Sequence, residues 1–245
     1  MIPPFETTFA VPLSCEDCIK DVSSSLHQLD GIHKITPSLQ TQTLSILGTA
    51  SPSSIVAAIE STGRDAILRG SGKAESAAVC ILETHCSTVR EQVKGLIRMV
   101  QVAPKMTVVD MTLKGVKSGV YDVSVRERGD ISQGAESTGG VWEEKVEGSK
   151  GRGIWGTISV GQSGVGSVFI DKPVQIWEMI GRAVVVSKRL EDGRVREKLE
   201  REDEEVFVGV VARSAGVWDN DKTVCSCSGK TVWEERREQV GKGML

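Results

Sequence analysis

The sequence predicts two domains of different class in one chain. Residues 1–71 read as an α+β ferredoxin-like unit in βαββαβ order, and residues 77–213 as an all-β barrel or sandwich of eight strands. An irregular C-terminal tail follows over 214–245. Three observations carry this. Before residue 70, strand-like segments alternate with segments of helical period. "GSGKAESA" (70–77) is a Gly/Ser-rich junction. Beyond it, eight short runs rich in β-branched residues are divided by glycines.

The elements follow in order. "TTFAVPL" (7–13) is a strand. "CIKDVSSSLHQL" places Ile19, Val22, Leu26 and Leu29 at helical spacing. "GIHKITPSL" and "TLSILG" are strands separated by polar "QTQ". "SPSSIVAAIESTG" is a helix with Ser51 as N-cap, Pro52 at its first position and Gly63 closing it. "DAILRG" is the last strand of the unit. In the second domain the expected strands are "AAVCILET", "IRMVQV", "TVVDMTLKG", "GVYDVSVRERG", "GIWGTISVG", "SVFID", "AVVVSKRL" and "VFVGVVARS". "RLEDGRVREKLEREDEE" (189–205) lacks an apolar stripe and reads as a solvated loop. The tail does not continue the strand pattern.

Composition narrows the functions. A net charge of −3 gives no reason to expect a nucleic-acid partner. No run reaches the roughly 18 apolar residues of a membrane span, and "MIPPFETTF" has no apolar stretch of leader length. Four of the six cysteines form close pairs at opposite ends, Cys15 with Cys18 and Cys225 with Cys227. A chain of 245 residues builds its cores without disulfide staples, so these thiols are expected to do chemistry in a reducing compartment.

Spacing alone leaves Cys15-x-x-Cys18 open as a redox pair, half a zinc site or a port for a soft metal. The fold context favours the last. The pair sits where the first strand meets the first helix, and free N–H groups and the helix dipole there stabilise thiolates. Two thiolates suffice for a nearly linear Cu(I) site, whereas a closed zinc site takes four ligands. The domain otherwise offers only His27 and His33, so zinc is not expected. The loop "STGRDA" returns to the same end of the unit, so Arg64 is expected to offset the charge of a bis-thiolate centre. Cys225-x-Cys227, in the polar setting "VCSCSGK", can hold Cu(I), exchange thiols with a partner, or link to another cysteine. Cys80 falls in a strand pattern and is expected in the core; Cys86 has no assigned role.

These residues carry a family resemblance. "LSCEDC" resembles the M-x-C-x-x-C site of heavy-metal-associated domains and small copper chaperones, with Leu13 where methionine is common. "AAVCILE", "LKGVKSGVYDVSVRERGDISQGAESTGG" and "IGRAVVVSK" resemble Cu,Zn superoxide dismutase, a Greek-key barrel. The resemblance aligns that enzyme's metal histidines with Ser124, Arg126, Val141 and Ser187, and a disulfide cysteine with Ala135. No histidine follows His85, so dismutase chemistry is not expected. With the tail "GVVARSAGVWDNDKTVCSCSGKTVWEER", the whole resembles copper chaperones for superoxide dismutase, fungal members more than animal ones.

The resemblance implies a metallochaperone rather than an enzyme. Cys15 and Cys18 take Cu(I). The dismutase-like domain docks an immature Cu,Zn superoxide dismutase as a heterodimer, with Ile180, Gly181, Val210 and Arg213 expected at that surface. Cys225 and Cys227 then pass copper and promote the target's disulfide. The cytoplasm is the expected compartment. The mitochondrial intermembrane space, a homodimer and a separate copper donor protein stay open. The rival readings are a thiol–disulfide oxidoreductase and an inactive dismutase-like scaffold that transfers no copper.

Overall fold

The computed structural model describes residues 2–142, 152–190, 196, 198–217 and 230–241. The first unit runs β1 (Phe5–Ala10), α1 (Glu16–His27), β2 (Ile32–Ser38), β3 (Thr43–Gly48), α2 (Pro52–Glu60) and β4 (Ile67–Ser71). Its sheet is antiparallel in the order β2-β3-β1-β4. Val22 and Leu26 of α1 and Ile55 and Ile59 of α2 share a core with Phe9, Val11, Leu13, Leu44 and Ile46. The first strand starts two residues before its expected place and ends at Ala10. Pro12 has no N–H to extend the ladder. The first helix begins at Glu16, so Cys15 is its N-cap. Ser51 caps α2, its hydroxyl accepting from the Ser54 N–H at 3.1 Å.

The second unit contains β5 (Ala77–Glu83), β6 (Val93–Ala103), β7 (Met106–Leu113), β8 (Gly119–Val125), β9 (Ile154–Val160), β10 (Gly166–Lys172), the single turn α3 (Ile176–Met179), β11 (Ala183–Lys188), β12 (Val206–Val210) and β13 (Ala212–Ser214). The order is β10-β7-β6-β5-β12-β11-β8-β9, with β13 also on β5. The end strands β9 and β10 come together where Gly166 backs onto the Ser159 carbonyl, so the sheet is a nearly closed barrel. Tyr121, Phe207, Met99, Met111, Trp155 and Val184 are among the side chains that fill it. All eight expected runs are strands. The last, "VFVGVVARS", divides at Val211, whose N–H donates to Arg182 O and whose carbonyl accepts from Gly181 N–H, both at 2.9 Å. That exchange leaves β12 on β11 and sends β13 along β5.

Two sequence expectations need correction. The charged stretch 189–205 is more than a solvated loop. Arg189 grips Asp122 with two nitrogens, and Arg196 lies half-buried between Asp203 and Glu205 while donating to Lys188 O. Among the described residues, Arg189 pairs with the barrel's Asp122, Arg196 with Asp203 and Glu205, and Glu205 with Lys188 of β11, which a pattern of apolar residues does not register. The tail also contains a helix, α4 (Val232–Gly241).

The two units share contacts. Phe5 of β1 packs with Val100 and Val108 of the barrel. Asp110, only 2% exposed, accepts from Ser53 N–H at 2.8 Å and Ser53 Oγ at 2.6 Å in the first turn of α2, and faces Arg98 at 3.6 Å. Among the described residues no helix is long and apolar enough to cross a membrane.

Candidate metal-binding site and docking face

The first site is built at the start of α1. Cys15, as N-cap, has extended backbone (φ −156°, ψ 170°), and Cys18 is the third helical residue. N-cap and third-residue side chains meet across the first turn, the geometry of a capping box. Here that spacing brings two sulfurs to 3.1 Å. Both thiols are free, Cys15 exposed and Cys18 half-buried. Leu13, just before the pair, is buried in the core and fixes the strand's exit. Ser14 Oγ lies 3.4 Å from Cys18 Sγ. The Cys18 thiol is pulled down to about 6, first by the Ser14 hydroxyl, then by Cys15, the Ser14 backbone and Arg64. A thiol shifted that far is largely thiolate at neutral pH, the form that binds soft metals.

Arg64 is where its loop was expected to bring it. Its guanidinium donates to Asp21 Oδ2 at 2.6 Å and Thr62 O at 3.2 Å, over the first turns of α1. The Cys18 sulfur first, and then Asp21, raises it further. Among the described residues, no group of three or more His, Cys, Asp or Glu side chains is placed to hold a metal. Cys80 is fully buried, its thiol pushed up to about 12 by desolvation. Cys86 is buried too, with its sulfur 3.1 Å from Thr88 Oγ1. Cys225 and Cys227 lie outside the described residues.

In the barrel, the positions aligned with metal histidines hold no metal-ligating side chains. Ser124 pairs with Val185 on β11, Ser187 is buried opposite Asp122, and Arg126 bridges to Val141. The Arg126 guanidinium donates to Thr138 Oγ1 at 3.2 Å and to Gly139 O. A fixed organic cation thus ties down the loop at this position. Ala135 is buried with Ala183, Val185, Val206 and Val208.

Three of the four expected docking residues come together. Gly181 adopts φ +80° and donates to Val211 O; the neighbouring Ile180 packs on the barrel core. A Cβ on Gly129 would stand 2.1 Å from Gly181 O and 3.4 Å from Val210, so three chain segments converge tightly here. Arg213 is exposed on β13 opposite Ala78, two residues beyond Val211, which bonds to Gly181. The sequence reading missed Trp177, which at 66% exposure is the most exposed large apolar side chain among the described residues. It stands beside a shallow depression of about 450 Å³ lined by Ile180, Gly181, Arg182 and Trp142. Arg152 and Arg182 both stack on Trp142, at 4.8 and 4.3 Å, and Arg152 is held by Glu178 at 2.8 Å. Nothing in "IWEM" distinguishes the outward tryptophan from the inward Ile176 and Met179, because one turn is too short to establish a period.

Known proteins bear on these observations directly. The heavy-metal-associated domain family matches residues 8–65, and the copper/zinc superoxide dismutase family matches residues 93–211. A superoxide dismutase 1 copper chaperone of Debaryomyces hansenii is 43% identical, covering 100% of this chain and 99% of that protein. One of Saccharomyces cerevisiae is 38% identical over 98% and 97%. A copper chaperone for superoxide dismutase of Mus musculus is 30% identical over 96% and 90%. End-to-end identity at this level, through both domains and the tail, places the chain in the family of copper chaperones for superoxide dismutase.

Proposed function

We propose that this chain is a copper metallochaperone that carries Cu(I) on Cys15 and Cys18, docks on an immature Cu,Zn superoxide dismutase, and hands over the ion. The observation that carries the reading is the thiol pair itself. Two free sulfurs 3.1 Å apart, one pulled down to about 6, stand at the exposed N-terminus of α1. A two-coordinate soft ion is the cargo such a pair fits; zinc, which takes four ligands, is not. Exposure matters as much as affinity, because transfer needs an incoming thiolate to reach the ion. Arg64 balances the negative charge of the loaded pair while hydrogen-bonded to Asp21.

The three parts divide the work: residues 1–71 carry copper, 77–213 recognise the target, and 214–245 act on it. The barrel keeps the shape of a dismutase subunit, so it substitutes for one partner in a two-fold pair. Ile180, Gly181 and Val210 form the centre of that docking face, with Arg213 at its margin. The same face admits a homodimer at rest. Cys225 and Cys227 relay the ion by thiolate exchange, so copper is never released to water. An oxidised Cys225–Cys227 pair also accepts two electrons from the target's thiols through a mixed disulfide, leaving the tail reduced and the target oxidised. The cytoplasm is the expected setting, with the mitochondrial intermembrane space a second one and a separate donor supplying copper.

The assignment of the tail is tested by replacing Cys225 and Cys227 with serine and following the target's disulfide. The double variant should bind Cu(I) at Cys15 and Cys18 with unchanged stoichiometry yet fail to oxidise the target. Normal oxidation would remove the tail from the mechanism.

A further inference from the structure

The C-terminal helix has a task that the transfer reading does not require. At 10 residues α4 is too short to be stable alone in water, so its order depends on what it packs against. Its start is fixed by a capping box: Thr231 N–H and Oγ1 both reach Glu234 Oε2, at 2.8 and 2.9 Å, and Glu234 N–H returns to Thr231 Oγ1. Trp233 and Arg236, three residues apart, are half-buried, whereas Glu234, Arg237 and Glu238 are exposed. Arg236 points into the N-terminal domain. It donates to Glu60 Oε1 at 2.6 Å and to Asp65 Oδ1 at 3.3 Å, leaving its side chain 14% exposed. Glu60 ends α2, and Asp65 follows Arg64, the residue beside Cys18.

The chain is fastened to the same domain further upstream. Ser71 N–H donates to Ala215 O at 3.3 Å, and Val217 N–H to Gly72 O at 2.9 Å. Gly70 and Gly216 permit this approach. A Cβ on Gly70 would lie 2.2 Å from Gly216 O, and one on Gly216 would lie 2.7 Å from the Lys73 carbonyl carbon.

We propose that α4 is a docking element whose Arg236 clamps Glu60 and Asp65, so that the chain is held to the copper-carrying domain on both sides of residues 218–229. Both anchors come from described residues. Cys225 and Cys227 fall between them in sequence, two and zero residues respectively before Ser228 separates them from the Gly229–Lys230 approach to α4. Tethering at both ends raises the effective concentration of an intervening segment near its anchors. The docking stands without reference to copper; its consequence for transfer rests on the reading above.

Hydrogen exchange on the full-length, metal-free chain tests it. Arg236→Glu and Glu60→Arg should each speed exchange of the 232–241 amides by about tenfold. The double variant, which reverses the pair, should slow them again. Barrel amides serve as an internal control for folding in every variant. Wild-type exchange in Arg236→Glu, or acceleration that the reversed pair does not relieve, would overturn the clamp.

Discussion

Each cysteine's surroundings decide what it can do. Cys18 and Cys80 are both thiols on regular elements, yet one is pulled down to about 6 by hydrogen bonds and a nearby guanidinium, the other pushed up to about 12 by burial. Alkylation of the reduced, metal-free chain should therefore modify Cys18 with a midpoint near pH 6, the thiolate forming as pH rises through it. Cys80 should stay unmodified until the barrel unfolds, as mass spectrometry of the peptides would report. Ser14→Ala removes the largest contribution and should move the Cys18 midpoint upward; an unmoved midpoint would discount the hydroxyl. Acid works against loading as well, because protons compete with copper for the same sulfurs below that midpoint.

At the level of elements, short-range chemistry places the site. Cys15 and Cys18 meet because they hold N-cap and third-residue positions; the sequence placed the pair at the strand–helix junction but opened the helix at Cys18, two residues late. The exact start of α1 was not legible, since Glu16 and Asp17 carry no apolar signal. Likewise α4 went unread for want of an apolar stripe, although Thr231-x-x-Glu234 was a usable start signal. The eight barrel strands were legible in their β-branched runs, but the split at Val211 depends on long-range bonds to Gly181 and Arg182 that no local pattern encodes. Two substitutions test this level by denaturant unfolding. Ser51→Ala should cost about 1 kcal/mol by removing the cap of α2. Gly209→Ala should cost about 3 kcal/mol or more, because its Cβ would stand 1.9 Å from Ile81 O in the barrel wall.

For the whole molecule, the connection between carrier and docking domains matters most. Asp110 is the polar centre of that connection, and burial raises its carboxyl above the ordinary 3.8 despite donors from Ser53 and the nearby Arg98. A raised folded value means the native state holds the proton more readily than the unfolded chain. Its contribution is therefore present in acid and is lost as pH rises from about 3.8 through the folded value, then flat. Relative to Asp110→Asn, the wild-type chain should lose stability across that window in a pH series of unfolding curves; a relative gain would contradict the sign. Ser53→Ala should cost about 2 kcal/mol by stripping a hydrogen bond from a buried carboxylate. The sequence showed two domains and their junction, but not this contact, which joins residues 57 apart. In the proposed route, copper held by Cys15 and Cys18 passes to a docked dismutase. Mixing the reduced, copper-loaded chain with immature Cu,Zn superoxide dismutase in the presence of a Cu(I) chelator tests it most directly. With dioxygen admitted as the oxidant for the target's disulfide, a 1:1 complex should form and resolve into active, oxidised target, and the chain with Cys15 and Cys18 replaced by serine should activate none. Equal activation by that variant would contradict it.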